Sequence, residues 1–136
     1  WAIEQHDPDL VVFLQCTSPI RRLDDIDNAV MMLRQSRADS LLSVVRTHAF
    51  LWGIADNKPH PLNYDYRSRP RRQERSPEFI ENGSIYVFRP WVLRQHANRL
   101  GGTIVLYEME ADSAIDIDAE RDFELCEWLL AHGNQG

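Results

Sequence analysis

Near its carboxyl end the chain reads Ile115-Asp116-Ile117-Asp118. In an extended segment alternate side chains share a face, so Asp116 and Asp118 point one way and the two isoleucines the other. Two carboxylates on one face can seat a hard divalent cation such as Mg2+, which takes oxygen ligands. A plainer role is open for one of them. Asp118 immediately precedes a helical pattern and could serve as its N-cap. A cap needs only one carboxylate, and here two stand in register.

Other polar groups could join them. Gln15, Thr17 and Ser18 follow the apolar run Leu10 to Leu14, and Pro19 ends any regular ladder there. Polar groups just past the carboxyl end of a buried strand sit where open α/β sheets bind ligands. Asn82-Gly83 stands before a second apolar run and reads as a turn. Between Arg67 and Arg75 lie five arginines and one acid, Glu74. Such a loop suits a carboxylate or phosphate, or is simply a solvated arm. Cys16 has no histidine near it in sequence and reads as a small packing residue. The five histidines show no metal-ligand spacing.

The elements that must position these groups follow from periodicity. Leu10 to Leu14, a short continuous apolar run, predicts a strand buried on both faces, and such a parallel strand needs neighbours. Before it, "WAIEQHDPD" reads as the tail of a helix. Ile26, Val30 and Leu33 recur at helical spacing, with Asp24, Asp25 and Asp27 crowding the first turn and Arg34 and Arg37 the last, as the helix dipole favours. Ser40 to Thr47 is a second β-type run, so strand, helix and strand predict a right-handed crossover. "AFLWGIAD" predicts another strand, with a turn around Asn57 to Pro59. His60 to Pro77 is an excursion from the core, a binding loop or oligomerisation arm. Gly83 to Pro90 predicts a strand, and "WVLRQHANRLGG" a short helix stopped by Gly101 and Gly102. "TIVLYEM" predicts a strand and "SAIDID" an extended segment. The last helix carries Phe123, Cys126 and Leu130 on one face. This alternation defines an α/β domain with a largely parallel sheet.

Composition narrows the function. With 136 residues, 43% hydrophobic and 26% charged, the chain is long enough for one domain with a core. A net charge of −6 argues against general nucleic-acid binding. No apolar run is long enough to span a bilayer and no signal peptide opens the chain. Cys16 and Cys126 stand far apart, which suits a reduced, cytoplasmic protein.

Three segments in series, "LQCTSPIR", "RRQERSPEFIENGSIYVF" and "AIDIDAERDFEL", resemble the acylneuraminate cytidylyltransferase family, the CMP-sialic acid synthetases. The resemblance covers nearly the whole chain. It implies a three-layer, nucleotidyltransferase-like (Rossmann-like) fold with a mostly parallel sheet. It also implies a homodimer, with a dimerisation and substrate arm over 48–77 of a single partial domain, 1–136. The implied activity is transfer of CMP from CTP to a 2-keto-3-deoxy nonulosonic sugar acid, with release of pyrophosphate. The family's substrate contacts would fall on Gln15, Thr17, Arg72 and Asn82. Its catalytic and Mg2+-binding carboxylates would fall on Asp116 and Asp118. Cys16 stands where the family usually has proline.

No glycine- and lysine-rich phosphate-binding segment occurs, and Lys58 is the only lysine. The expectation is therefore a carboxyl-terminal portion of such an enzyme, inactive by itself. Two other readings stay open: a dimerisation module without catalysis, and a cytidylyltransferase for a different keto-deoxy sugar acid.

Overall fold

The computed structural model describes residues 2–133. They form two units, Arg46–Phe79 and the remainder on either side of it.

The larger unit is built on a four-stranded sheet. Its strands are β1 (Val11–Leu14), β2 (Ser40–Thr47), β5 (Glu78–Phe88) and β6 (Ile104–Met109), in the order β1-β5-β2-β6. The sheet is mixed. β2 and β6 run parallel, from Ser40 opposite Ile104 to Val45 opposite Met109. β1 and β5 run antiparallel, from Val11 opposite Phe88 to Leu14 opposite Ile85. Helix α2 (Asp25–Ser36) lies between β1 and β2 in the chain and brings Ala29 and Leu33 to the core. There they meet Leu41, Val45, Ile85, Val87 and Met109. Burying an aliphatic side chain of this size contributes about 1.5–3 kcal/mol, so this cluster holds the unit together.

The strands buried on both faces are β2 and, over residues 84–88, β5, not β1. Residues 40–45 are all buried, whereas Val12, Phe13 and Leu14 are 38–42% exposed and β1 pairs only with β5 among the described residues. A continuous apolar run shows that a strand can be buried on two faces. It does not fix the strand's place in the sheet.

Three helical expectations also change. Helix α3 (Pro90–His96) stops at Ala97, which takes a left-handed conformation (φ 49°) and donates its N–H to the Leu93 carbonyl at 2.9 Å. The glycines beyond it meet the start of β2. The Gly101 carbonyl accepts from Ser40 Oγ at 2.8 Å. Gly102 has φ +64°, and a Cβ there would come within 2.5 Å of the Asp39 carboxylate. Helix α4 (Glu120–His132) buries Cys126 alone, and Phe123 and Leu130 are each 52% exposed. Before α4, Ala111–Ala114 is a short 3-10 helix, and the extended backbone begins only at Ile115. Helix α1 (Ala2–His6) agrees with the expected helix tail, whose Trp1 lies outside the described residues.

The smaller unit is stapled around the antiparallel hairpin β3 (Trp52–Ala55) and β4 (Lys58–Pro61). Its turn is Asp56-Asn57, both with positive φ (50° and 60°), so the second strand already starts at Lys58. Asp and Asn tolerate that conformation, as a two-residue hairpin turn requires. Asn63 accepts from the Leu51 N–H at 2.9 Å and donates to the Ala49 carbonyl at 3.0 Å and to Glu78 at 2.9 Å. Phe50 packs on Tyr64 at 4.4 Å between ring centres.

Candidate active site

Two sequence-distant segments meet in the larger unit. The first is the turn after β1. The Ser18 N–H bonds the Gln15 carbonyl at 3.4 Å, and Gln15 Nε2 donates to Thr17 Oγ1 at 3.0 Å. The second is the acid-bearing segment, Ile115 to Asp118. The Ile117 N–H donates to the Thr17 carbonyl at 2.8 Å, and Ser18 Oγ donates to Asp116 Oδ1 at 3.3 Å. Ile115 and Ile117 are half-buried, while Asp116 and Asp118 are exposed. The alternation read from the sequence is therefore present.

Asp118 does not cap α4. Ala119 occupies that position, and Asp122 Oδ2 reaches back to accept from the N–H groups of Ala119 (2.9 Å) and Asp118 (3.3 Å). A carboxylate in the first turn satisfies the helix's orphan donors there. The Asp118 carboxylate is left without a protein partner among the described residues.

Asn82-Gly83 adjoins the same turn from β5. Gly83 has φ +71°, and a Cβ there would lie 3.3 Å from both Gln15 Nε2 and Ser18 Oγ. Asn82 is only 6% exposed, and its carboxamide is fully engaged by the protein. Oδ1 accepts from Ser43 Oγ at 2.6 Å and from the Ser84 N–H at 3.3 Å. Nδ2 donates to Ser113 Oγ at 2.9 Å and points at Met109 Sδ at 3.4 Å.

One functional group escaped the sequence reading. Arg21 donates from a terminal nitrogen to the Gln15 carbonyl at 3.0 Å and from Nε to Ser84 Oγ at 2.9 Å. Ser84 Oγ in turn donates to the Ser18 carbonyl at 3.3 Å. Arg21 thus ties the turn to β5 at both ends. Burial lowers its pKa from the ordinary guanidinium value, opposed by the nearby Asp25 carboxylate, and it remains charged. Its position inside "SPIRR" was the available signal, but a doublet of arginines after a proline resembles any exposed loop. Behind the turn lies a cleft of about 170 Å³, whose lining includes Arg21, Asp25, Glu110, Asp112 and Ser113.

Arg72 belongs to the smaller unit, exposed on a short 3-10 helix at Arg72–Glu74. Gln15, Thr17, Asn82, Asp116 and Asp118 all belong to the larger one. Cys16, expected to pack, is exposed, with its side chain outside the core.

Among the described residues no group of three or more His, Cys, Asp or Glu side chains could hold a metal. Asp116 and Asp118 offer two exposed carboxylates, one of them free of protein partners. That donor set fits Mg2+, which keeps several waters and commonly takes one or two carboxylates together with substrate phosphates. It lacks the nitrogen and sulfur ligands of a structural zinc site.

No family model matches the chain. In fold the chain is similar to a CMP:2-keto-3-deoxy-manno-octonic acid synthetase solved in complex with CTP. The TM-score is 0.68 at 19% identity, over 97% of this chain and 66% of that one. The class is thus an α/β domain that shares the fold of that synthetase. In sequence the chain is 33% identical over 128 residues, 91% of its length, to N-acylneuraminate cytidylyltransferase A of Danio rerio. It is 32% identical over 88% of its length to the N-acylneuraminate cytidylyltransferase of Oncorhynchus mykiss. It is 27% identical over 93% of its length to the post-translational flagellin modification protein B of Campylobacter coli. The chain is a relative of the acylneuraminate cytidylyltransferases. It spans 30% of the Danio rerio protein, 28% of the Oncorhynchus mykiss protein and 54% of the Campylobacter coli protein.

Proposed function

We propose that the protein carrying this chain transfers CMP from CTP to a 2-keto-3-deoxy nonulosonic sugar acid. The anomeric hydroxyl oxygen bonds to the α-phosphorus, the bond from that phosphorus to the bridging oxygen breaks, and pyrophosphate leaves. The hydroxyl proton passes to solvent. The observation that carries this reading is the junction of the Thr17–Ser18 turn with Asp116 and Ile117. It brings a hydrogen-bonding loop and two carboxylates together at one place, and relatives named as cytidylyltransferases match nine-tenths of the chain.

Phosphoryl transfer needs positioning and charge neutralisation more than covalent help. Asp116 and Asp118 would hold Mg2+, which when bound offsets charge on phosphate and on the attacking oxygen. Gln15 and Thr17 would orient the sugar acid, with the Arg21 bonds keeping the turn in shape. Arg72 would receive the sugar carboxylate, a group that a guanidinium fork suits bidentately. Asn82, buried and saturated, supports the turn without a free atom for substrate.

A homodimer and a cytoplasmic location complete the reading. The smaller unit exposes Trp52 (50%), Ile54 (78%) and Leu62 (58%), apolar side chains that an interface would cover. Both cysteines are free thiols, and among the described residues no helix is long and apolar enough to cross a membrane. The test is pyrophosphate release by the full-length protein given CTP, Mg2+ and a panel of keto-deoxy sugar acids. Formation of a CMP-sugar from a nonulosonic acid is expected. Turnover with an eight-carbon acid alone would move the reading to that substrate, and no product with any acid would end it.

A further inference from the structure

Asn82 sits where four parts of the larger unit come together. Ser43 of the central strand β2 donates to it and at the same time accepts from the Ile85 N–H at 2.7 Å. Met109 ends β6. Ser113 belongs to the 3-10 helix and donates onward to the Glu110 carbonyl at 2.7 Å. Gly83, the next residue, packs its backbone against the Gln15 side chain. Every donor and acceptor of the carboxamide is therefore used within the chain, inside the protein. Asp116 lies three residues past Ser113, and Gln15 lies against the residue after Asn82.

We propose that Asn82 is a positioning residue, which through Ser113 and Gly83 sets the Asp116–Asp118 segment in register with the Gln15 turn. This rests on the reading of Asp116 and Asp118 as the magnesium carboxylates, and it gives Asn82 a role other than touching substrate. An asparagine suits the position because it alone offers two donors and a double acceptor at this length. An aspartate would turn the donors to Ser113 and Met109 into acceptors and leave a buried charge.

The test uses the full-length protein, with Mn2+ as the probe ion followed by its electron paramagnetic resonance signal, and amide hydrogen exchange at Ile117. Ser113→Ala leaves Asn82 in place, unlinks it, and also removes the bond to the Glu110 carbonyl. It is expected to weaken Mn2+ binding by about tenfold, the usual cost of losing a group that orients a ligand. It should also speed exchange at Ile117 relative to Val44 in the core strand. Ser113→Thr, which keeps the hydroxyl, should restore both. Asn82→Asp should do at least as much harm, and adding Ser113→Ala to it should cost clearly less than Ser113→Ala costs alone, since the Asn82–Ser113 bond is shared by the two and only the Glu110 bond is left to lose.

Unchanged exchange at Ile117 in Ser113→Ala would overturn the proposal. So would an Asn82→Asp protein that keeps its Mn2+ affinity and shows only a raised KM for nucleotide or sugar. If the unsubstituted protein binds no Mn2+, the magnesium reading fails, and the exchange measurement alone still decides whether Asn82 positions the segment.

Discussion

The backbone N–H of Ile117 donates to the carbonyl of Thr17 across 2.8 Å, joining segments one hundred residues apart in the chain. Beside it the hydroxyl of Ser18, which is 1% exposed, reaches the carboxylate of Asp116. A main-chain bond of this kind fixes the spacing of both neighbours of Ile117. Asp116 and Asp118 are therefore presented together at one edge of the turn. The chemistry proposed for them depends on that edge staying fixed while substrates come and go.

Asp116→Asn keeps the size of the side chain and an acceptor for Ser18 but removes the charge. Both acids are exposed, so stability should change by no more than about 0.5 kcal/mol, as at most surface positions. Mg2+-dependent pyrophosphate release should fall by about 100-fold or more, the loss of over 2.7 kcal/mol of transition-state stabilisation. Steady-state kinetics together with a denaturation curve checks both halves. Full turnover in the variant would remove Asp116 from the magnesium role.

Gly83→Ala should be costly in two ways. The position has φ +71°, which a Cβ disfavours, and the added methyl would meet Gln15 and Ser18 at 3.3 Å. A loss of about 1–2 kcal/mol is expected from the left-handed conformation. Displacement of the Gln15 carboxamide should raise KM for the sugar acid more than for CTP. Equal shifts in the two KM values would show that Gly83 shapes the turn without acting through Gln15.

Asp122→Ala tests the cap of α4. It removes the acceptor for the N–H groups of Asp118 and Ala119, and should cost about 1 kcal/mol in urea denaturation. Because Asp118 is held only by its backbone here, the same variant should also weaken Mn2+ binding. Asp122→Asn, which retains an acceptor oxygen, should lose less of both.

The parts of this arrangement differ in how legible they were. Asp116 and Asp118 were legible because period-two alternation with Ile115 and Ile117 is a local property. Strand β2 and helix α2 were legible for the same reason, as their periodicity lies within a dozen residues. The place of β1 in the sheet was not, because Leu10 to Leu14 carries no record of which strand pairs with it. The exposure of Phe123 and Leu130 on α4 was hidden likewise, since an apolar helix face shows what could be covered rather than what is. Asn82 read as a turn residue and, by resemblance, as a substrate contact. Its use as a buried hub depends on Ser43 and Ser113, which are 39 and 31 residues away. Arg21 was missed because its partners, the Gln15 carbonyl and Ser84, leave no pattern in the sequence.

The tyrosines give a pH dependence with a definite sign. Tyr107 donates to Asp25 at 2.9 Å, and burial followed by this bond pushes its pKa up to about 12. Tyr86 donates to Glu81, and burial followed by that bond pushes it up to about 12 as well. An unfolded tyrosine titrates near pH 10, about two units lower. The neutral form is thus favoured by folding, so its contribution is complete below about pH 10 and is lost as pH rises through 12. Absorbance titration at 295 nm should show a late phase near pH 12, reduced by one tyrosine in Tyr107→Phe. A single phase near pH 10 in the folded protein would contradict both bonds.

Arg72 and Arg75 lie three residues apart in the same basic stretch, and the structure separates their work. Arg75 forms an ion pair with Glu78, donates to the carbonyls of His48 (3.0 Å) and Ala49 (3.2 Å), and lies 4.5 Å from the Phe50 ring centre. Its side chain is only 7% exposed. Arg72 is exposed, with no side-chain partner among the described residues. Arg75→Ala should therefore open the smaller unit, leaving Glu78 short of its cation at a cost of about 2–3 kcal/mol. Limited proteolysis should then cut within 46–79 while the larger unit resists. Arg72→Ala should leave proteolysis and melting unchanged and raise KM for the sugar acid about tenfold or more, the worth of one charge-assisted bond to a carboxylate. Arg72→Lys should recover only part of that loss, because an ammonium cannot grip both carboxylate oxygens in the same plane. An Arg72→Ala protein with unaltered KM would take the sugar carboxylate away from this residue and leave the basic stretch with a structural role centred on Arg75.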